Sequence, residues 1–228
     1  MNSIKLLEQL KEKAVFNISD IERITSSNGK YAKVILSRLK KRNLIKHLSK
    51  NLYTTNENIY LISSNLVYPS YISFWSASAF LGYTEQILKN IQIATTRKIK
   101  EINFEGYCIK FIKIKEFFGF KKINTEKGDI FVAEDEKLII DSLLRYKELG
   151  NFDEIKKVFE SSKIKKEKII DYLKRINNQT LLKRVGYLLD KIKKIDLSDE
   201  FKLDKNYILL NPFSKKWKKI NSKWRIKE

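Results

Sequence analysis

The chain has 228 residues, 43% of them hydrophobic, which is enough to bury a core in one large domain or in a small and a medium one. Only seven glycines and two prolines argue against a fibrous or disordered chain. The formal net charge of +20 exceeds what solubility requires and favours a polyanionic partner, most often nucleic acid.

Cysteine, histidine and hydropathy exclude further classes of protein. A single cysteine, Cys108, excludes an internal disulfide and a cysteine metal cluster, and the single histidine, His47, leaves little for zinc binding. We therefore predict no cofactor, no metal site and no catalytic residue. The sequence has no run of about 18 uninterrupted apolar residues and no secretory core at its start, so we expect a cytoplasmic protein that does not enter a membrane.

The first 55 residues predict three helices and a hairpin. Apolar residues from Ile4 to Leu10 mark an amphipathic first helix. The box Ser19-Asp20-Ile21-Glu22 predicts the start of a short second helix ending near Thr25. A turn from Ser26 to Gly29 follows, in which glycine is expected to supply a positive φ.

A basic helix is predicted from about Lys30 to Arg42. Its buried stripe is Ala32, Ile35, Leu36 and Leu39. Two short β-prone runs around Ser49-Lys50-Asn51 follow as a hairpin. This order indicates a winged helix-turn-helix, in which the third helix enters the major groove of DNA and the hairpin approaches the phosphates.

Charge agrees with this interpretation, because residues 1–55 hold 12 Lys and Arg against 4 Asp and Glu. The residues predicted to meet base edges lie on the first half of the helix: Asn28, Lys30, Tyr31, Lys33 and Ser37. Those predicted to contact phosphates follow: Arg38, Lys41, Arg42, Lys46 and Lys50. The partner would be double-stranded DNA.

The rest of the chain predicts a mixed α/β domain, residues 57–228, after a winged-helix domain of residues 1–56. A polar segment at residues 56–65 marks the boundary. A buried helix is expected between Pro69 and Gly82, then strands in "IQIATT", "INFEGYCIKFIKI" and "DIFVA". From Glu134 onward the pattern becomes helical. The overall class is α+β, with a helical C-terminal part.

The C-terminal segment "NPFSKKWKKINSKWRIKE" is basic and aromatic. It holds seven Lys and Arg against one acid, with Phe213, Trp217 and Trp224 interleaved. We regard its lysines as a second basic patch: Lys215, Lys216, Lys218 and Lys219.

Five segments in this order resemble the AbiEi-type antitoxins, the regulators of type IV toxin–antitoxin operons linked to abortive infection. They are the N-terminal winged helix, "YPSYISFWSASAFLGYTEQ", "IQIATTRK", "VAEDEKLIIDSLL" with "RVGYLLD", and the C-terminal "NPFSKKWKKINSKWRI". The resemblance implies an autorepressor that binds inverted repeats upstream of its own operon and counteracts a nucleotidyltransferase-like toxin without a stable complex. A homodimer is expected because palindromic operators pair with two-fold symmetric proteins.

Two alternatives remain open. Asp135-Glu136-Lys137 after a strand, with Asp129 or Glu105 upstream, matches the Mg²⁺-dependent PD-(D/E)xK nucleases. The same triplet also fits the start of a helix, where acids complement the dipole. The charge alone would also suit a non-specific DNA-coating or chromatin protein, since phosphate neutralisation is independent of sequence.

Overall fold

The computed structural model describes residues 3–228 and confirms the α+β class, with N-terminal helices, a central group of strands and C-terminal helices. The chain divides into two compact units. The first contains the chain up to Ile72 with Leu88–Lys115 and Lys121–Val132, and the second contains Ser73–Ile87, Glu116–Phe120 and Ala133–Glu228. The predicted boundary at residue 56 falls inside the first unit, and a separate domain 1–56 stays a prediction.

The first unit begins with three helices and a hairpin, in the predicted order. The elements are α1 (Ser3–Lys11), α2 (Ile18–Thr25), α3 (Gly29–Lys41), β1 (Lys46–Ser49) and β2 (Leu52–Thr54). One buried cluster joins all three helices, and its members include Leu10, Ile21 and Leu36. We call residues 3–54 the helical module.

The capping box of α2 lies two residues earlier than predicted. Asn17 is the N-cap, its Oδ1 accepts the Asp20 N–H, and the Asp20 carboxylate accepts the Asn17 N–H at 2.8 Å. Ser19 therefore lies in the first turn, and the prediction of a Ser19–Glu22 box was wrong. Both boxes obey the same spacing rule, and asparagine and serine cap helices about equally well, so residue type alone does not distinguish the two helix starts.

The sequence predicted that Gly29 supplies the positive φ between α2 and α3, and this prediction was wrong. Ser26 holds that conformation, with φ of 52°, and Gly29 is the first residue of α3. An added Cβ at Gly29 would lie 2.6 Å from Oε1 of Glu22. The glycine therefore allows the close approach of a neighbouring side chain.

The polar segment at residues 56–65 is not a linker. It contains the helix α4 (Ile59–Ser64), in which five of six residues are buried, with Asn58 as its N-cap. Its serines are buried, and a short helix of this kind has no apolar stripe for the periodicity to detect. The polar composition therefore hid a core helix.

The first unit is completed by a six-stranded sheet. Its strands are β3 (Ser70–Ile72), β4 (Asn90–Thr95), β5 (Ile102–Phe104), β6 (Tyr107–Lys113), β7 (Phe120–Thr125) and β8 (Gly128–Ala133), in the spatial order β5-β6-β4-β3-β8-β7. The neighbouring strands β4 and β6 are parallel, with Ile93 opposite Phe111. The predicted hairpin turns at Glu105-Gly106, both with positive φ.

A single helix from Pro69 to Gly82 is not formed. Ser70–Ile72 is the strand β3, which pairs with β4 and β8, and the helix α5 covers only Phe74–Phe80. Periodicity does not distinguish a short buried strand from a buried helix, because both are continuous apolar runs. Gly82 does follow the helix end with a positive φ, as expected.

The second unit is mainly helical. Besides α5 it contains α6 (Asp135–Leu144), α7 (Phe152–Ser161), α8 (Lys166–Ile176) and α9 (Gln179–Leu188), followed by a π-helical turn at Leu189–Lys193. Helix α6 contacts α5, α7, α8 and α9 and is buried on nearly all sides. It is therefore the central element of this unit.

The C-terminal segment closes the second unit with a small sheet. Its strands are β9 (Ile208–Leu209), β10 (Ile220–Asn221) and β11 (Ile226–Lys227), with β11 in the middle. Trp224 is fully buried and lies against Gly186 of α9, where an added Cβ would be 2.1 Å from the indole ring. The tail is thus part of the core as well as a basic surface.

Candidate nucleic-acid interface

Helix α3 is held in the module by one face. Ala32, Leu36 and Leu39 are buried in the module core. The Asn28 side-chain oxygen caps the helix by accepting the Tyr31 N–H at 3.0 Å. Its oxygen has a structural role in starting α3, and the predicted contact of Asn28 with bases stays a prediction.

The outer face of α3 carries its polar and charged side chains. Lys33, Ser37 and Lys40 follow each other at helical spacing and line a groove of about 410 Å³ with Asn51 and Tyr53 of the hairpin. We call this the hairpin groove. Lys40 was not among the predicted contacts, although its position seven residues after Lys33 places it on the same side.

The other predicted residues of α3 lie either in a second groove on the opposite side of the helix or on the exposed surface outside both grooves. Tyr31, Arg38 and Arg42 line a second groove, beside Leu6 of α1. Lys30 and Lys41 are exposed on α3 and line neither groove. The predicted set is therefore spread over three lines along the helix, of which only one faces the hairpin.

The hairpin is fixed to the helices by backbone bonds that the sequence did not reveal. Phe16, between α1 and α2, exchanges two hydrogen bonds of 2.9 Å with Tyr53, and their rings stack. The Asn51 side chain at the turn accepts the Ile18 N–H at 3.2 Å. These contacts hold the exposed Lys50 at the tip in a set position relative to α3.

Lys46 lies at the base of the hairpin and is already paired. Its ammonium group is 3.0 Å from Glu105 and 3.4 Å from Glu57. The hydrogen bond to Glu105, with Glu57 nearby, raises the pKa of Lys46. Because two carboxylates compete for this group, we leave Lys46 out of the interface proposed below.

Val34 is an apolar residue on the charged face of α3. It is 43% exposed, one turn after Lys30 and one turn before Arg38. An exposed aliphatic group among cations is suited to contact a thymine methyl group in the major groove.

The second basic patch is exposed, and its four lysines do not act as one set. Lys215, Lys216, Lys218 and Lys219 are all exposed, but only Lys216 and Lys219 line a groove in the second unit. Trp217 between them is exposed, whereas Trp224 is buried. Only part of the predicted patch therefore belongs to a concave surface.

The triplet that resembles a nuclease motif has structural partners at each position. Asp135 accepts a hydrogen bond of 2.6 Å from the Tyr83 hydroxyl, and buried Glu136 accepts the Lys165 N–H at 2.8 Å. Burial, with the hydrogen bond to Asp135, raises the pKa of Tyr83. Lys137 is fully buried and pairs with Asp141 one turn later. The triplet begins the central helix α6.

No protein-family model matches the sequence, and no curated protein matches it. Among residues 3–228, no helix has both the length and the apolar character needed to cross a membrane.

Proposed function

We propose that the chain is a sequence-specific regulator that binds double-stranded DNA through α3 and the hairpin. The observation that carries the proposal is the hairpin groove, in which Lys33, Ser37 and Lys40 face a hairpin fixed to the same module. In winged-helix proteins the exposed helix enters the major groove while the hairpin follows the backbone. The charge of the module supports the same partner.

Two kinds of contact are expected at this interface. Lys33, Ser37 and Val34 would read base edges, since lysine bonds to guanine acceptors, serine to several edges and valine to the thymine methyl group. The exposed groups Lys30, Lys41 and Lys50 would contact phosphates and set the affinity. Tyr31, Arg38 and Arg42 would lie at the margin beside α1.

The resemblance to AbiEi-type antitoxins supports a narrower proposal. The chain would repress its own operon as a homodimer on inverted repeats and counteract a nucleotidyltransferase-like toxin in the cytoplasm, without a stable complex. Growth of cells expressing a neighbouring nucleotidyltransferase, with and without this chain, tests it. If the growth arrest is unchanged by this chain, the antitoxin proposal is rejected, and the proposal of DNA binding is not affected.

The first experiment is a binding titration at near-physiological salt. It compares duplex from upstream of the protein's own gene with a scrambled duplex of equal length. We expect a preference of about a thousandfold or more, as is typical of specific recognition. Near-equal affinities would identify a coating protein, and Mg²⁺-dependent degradation of the DNA would identify a nuclease.

Three variants separate base reading from phosphate binding. Lys33→Ala and Ser37→Ala should reduce the preference for the specific duplex, while Lys50→Ala should weaken both duplexes about equally. Lys100→Ala, an exposed lysine outside the helical module, is the matched control and should change neither affinity. Equal losses on both duplexes for Lys33→Ala and Ser37→Ala would contradict the assignment of α3.

A further inference from the structure

A basic groove with an apolar lining is present in the second unit, beside the C-terminal strands. Its volume is about 600 Å³. Phe152, Leu188 and Leu210 are buried and supply apolar surface, and Lys191 comes from the π-helical turn after α9. Such turns are frequent at functional sites. We call this the basic groove.

The positive charge of the basic groove is poorly compensated. Five lysines line it, and Lys156 among them pairs with Asp153 at 3.0 Å. Within residues 3–228, none of the other four ammonium groups forms an ion pair with a carboxylate: Lys191, Lys216, Lys219 and Lys227. Glu228 also lines the groove, and its side-chain carboxylate accepts a hydrogen bond from Tyr187.

An exposed indole lies next to these cations. Trp217 is 46% exposed, between Lys216 and Lys218, and the Lys227 ammonium lies 5.3 Å from the centre of its ring. The Trp217 ring is not part of the buried core, whereas the Trp224 ring is. A flat aromatic surface beside free cations is the arrangement that proteins use to stack an unpaired base and hold its phosphate.

We propose that the basic groove binds a single strand of nucleic acid. Lys216, Lys219 and Lys227 would contact successive phosphates, and a base would stack on Trp217. The groove has the volume of a small-ligand site, which suits about two nucleotides with the three phosphates that flank them. A duplex keeps its bases stacked within the helix, so it has no free base to offer the indole. This site is independent of the duplex site on α3.

The test measures binding of oligo(dT) of about ten nucleotides, within the site sizes of known single-strand binders. The full chain is compared with the triple variant Lys216→Ala, Lys219→Ala, Lys227→Ala. Its matched control carries the same charge change at three exposed lysines outside the groove: Lys147→Ala, Lys163→Ala and Lys205→Ala. Thermal melts of both triple variants verify folding.

The expected results concern salt dependence as well as affinity. Each lost phosphate contact on a single strand lowers the log–log salt slope by roughly 0.7, so the groove variant should lose about 2 from its slope. The control variant should keep the wild-type slope. An equal reduction of the salt slope in the groove variant and in the control variant would overturn the proposal. So would a loss of affinity for duplex DNA in the groove variant that equals its loss for oligo(dT).

Trp217 gives a second readout that does not depend on the lysines. Stacking should quench its fluorescence when oligo(dT) is added. Trp217→Phe should keep most of the affinity and lose this quenching, whereas Trp217→Ala should bind about tenfold more weakly. No quenching in the wild type would refute the stacking contact. Displacement of oligo(dT) by polyglutamate at similar concentration would assign the groove to an acidic protein partner.

Discussion

Asp20, in the first turn of α2, accepts hydrogen bonds from three donors, two of which precede it in the chain. Its carboxylate accepts hydrogen bonds from Lys13 at 2.8 Å, from Arg23 at 2.9 Å and from the Asn17 N–H. Partial burial on its own would raise the pKa of Asp20, but the bonds from Lys13 and Asn17 and the two positive charges lower it. The ionised form therefore stabilises the helical module.

Asp20→Ala should lower the free energy of unfolding by about 1 kcal/mol at pH 7, the usual net value of a lost hydrogen bond. Because the folded pKa lies below the unfolded one, this stabilisation is present above about pH 4 and is lost as the pH falls through the folded pKa. The difference between wild type and variant should thus shrink in acid, measured by urea unfolding from pH 7 to pH 3. Glu8→Ala, an exposed acid on α1, is the control, and an equal loss for it would refute the role of Asp20.

At the scale of elements, the packing of α9 against the C-terminal segment has little room to adjust. The Trp224 indole N–H donates to Asp190 at 3.0 Å, and Asp190 also accepts from Lys223 at 2.9 Å. The hydrogen bond from Lys223 lowers the pKa of Asp190. The ring is therefore fixed by its polar edge as well as by its contact with Gly186.

Gly186→Ala should destabilise the protein by about 3 kcal/mol, at the upper end of overpacking costs, because its Cβ meets a ring that has no space to move. Gly29→Ala adds the same methyl group next to the flexible end of Glu22 and should change stability by less than about 1 kcal/mol. Thermal denaturation of both variants compares them. A similar cost at the two positions would mean that Trp224 can shift.

The elements best predicted from sequence are those with a local signal. Helix α3 has a regular apolar stripe, and the β5–β6 hairpin has Glu105-Gly106 at its turn. By contrast, β3 depends on pairing with β4 and β8, and the Phe16–Tyr53 bridge joins residues far apart in sequence. No local pattern encodes such partners.

In the candidate interface, too, the residues with a local sequence signal could be predicted, and those that depend on distant partners could not. The exposed positions of α3 follow from helical spacing, so Lys33 and Ser37 could be selected from the sequence. The cap formed by Asn28 and the ion pair of Lys46 with Glu105 could not be predicted from the sequence. A cap depends on the exact helix start, and the ion pair spans 59 positions. The contribution of Lys40 was missed although its spacing from Lys33 was available.

For the whole molecule, the net charge of +20 makes salt dependence the most informative property of DNA binding. If six cations of the module neutralise phosphates, the log–log slope of affinity against salt should be about −5 for duplex DNA. Those six are Lys30, Arg38, Lys40, Lys41, Arg42 and Lys50. Titrations between about 50 and 200 mM salt measure the slope.

Lys50→Ala should make this slope shallower by about 1, and Lys100→Ala should leave it unchanged. A slope far steeper than the module can supply would mean that DNA wraps over much of the surface, as in a coating protein. A slope near zero would exclude phosphate contacts as the source of affinity, and with them the proposed interface.

The position of β11 has a consequence for synthesis of the chain on the ribosome. This strand is the middle one of its sheet, and Trp224 just before it fills the space beside Gly186. Until both have been translated, the nascent second unit exposes an apolar cleft on α9 and lacks the strand that joins β9 to β10. The first unit, whose last segment ends at Val132, has no such requirement. A paused or shortened translation product would therefore combine a finished first unit with an open second one, the kind of species that chaperones and proteases recognise.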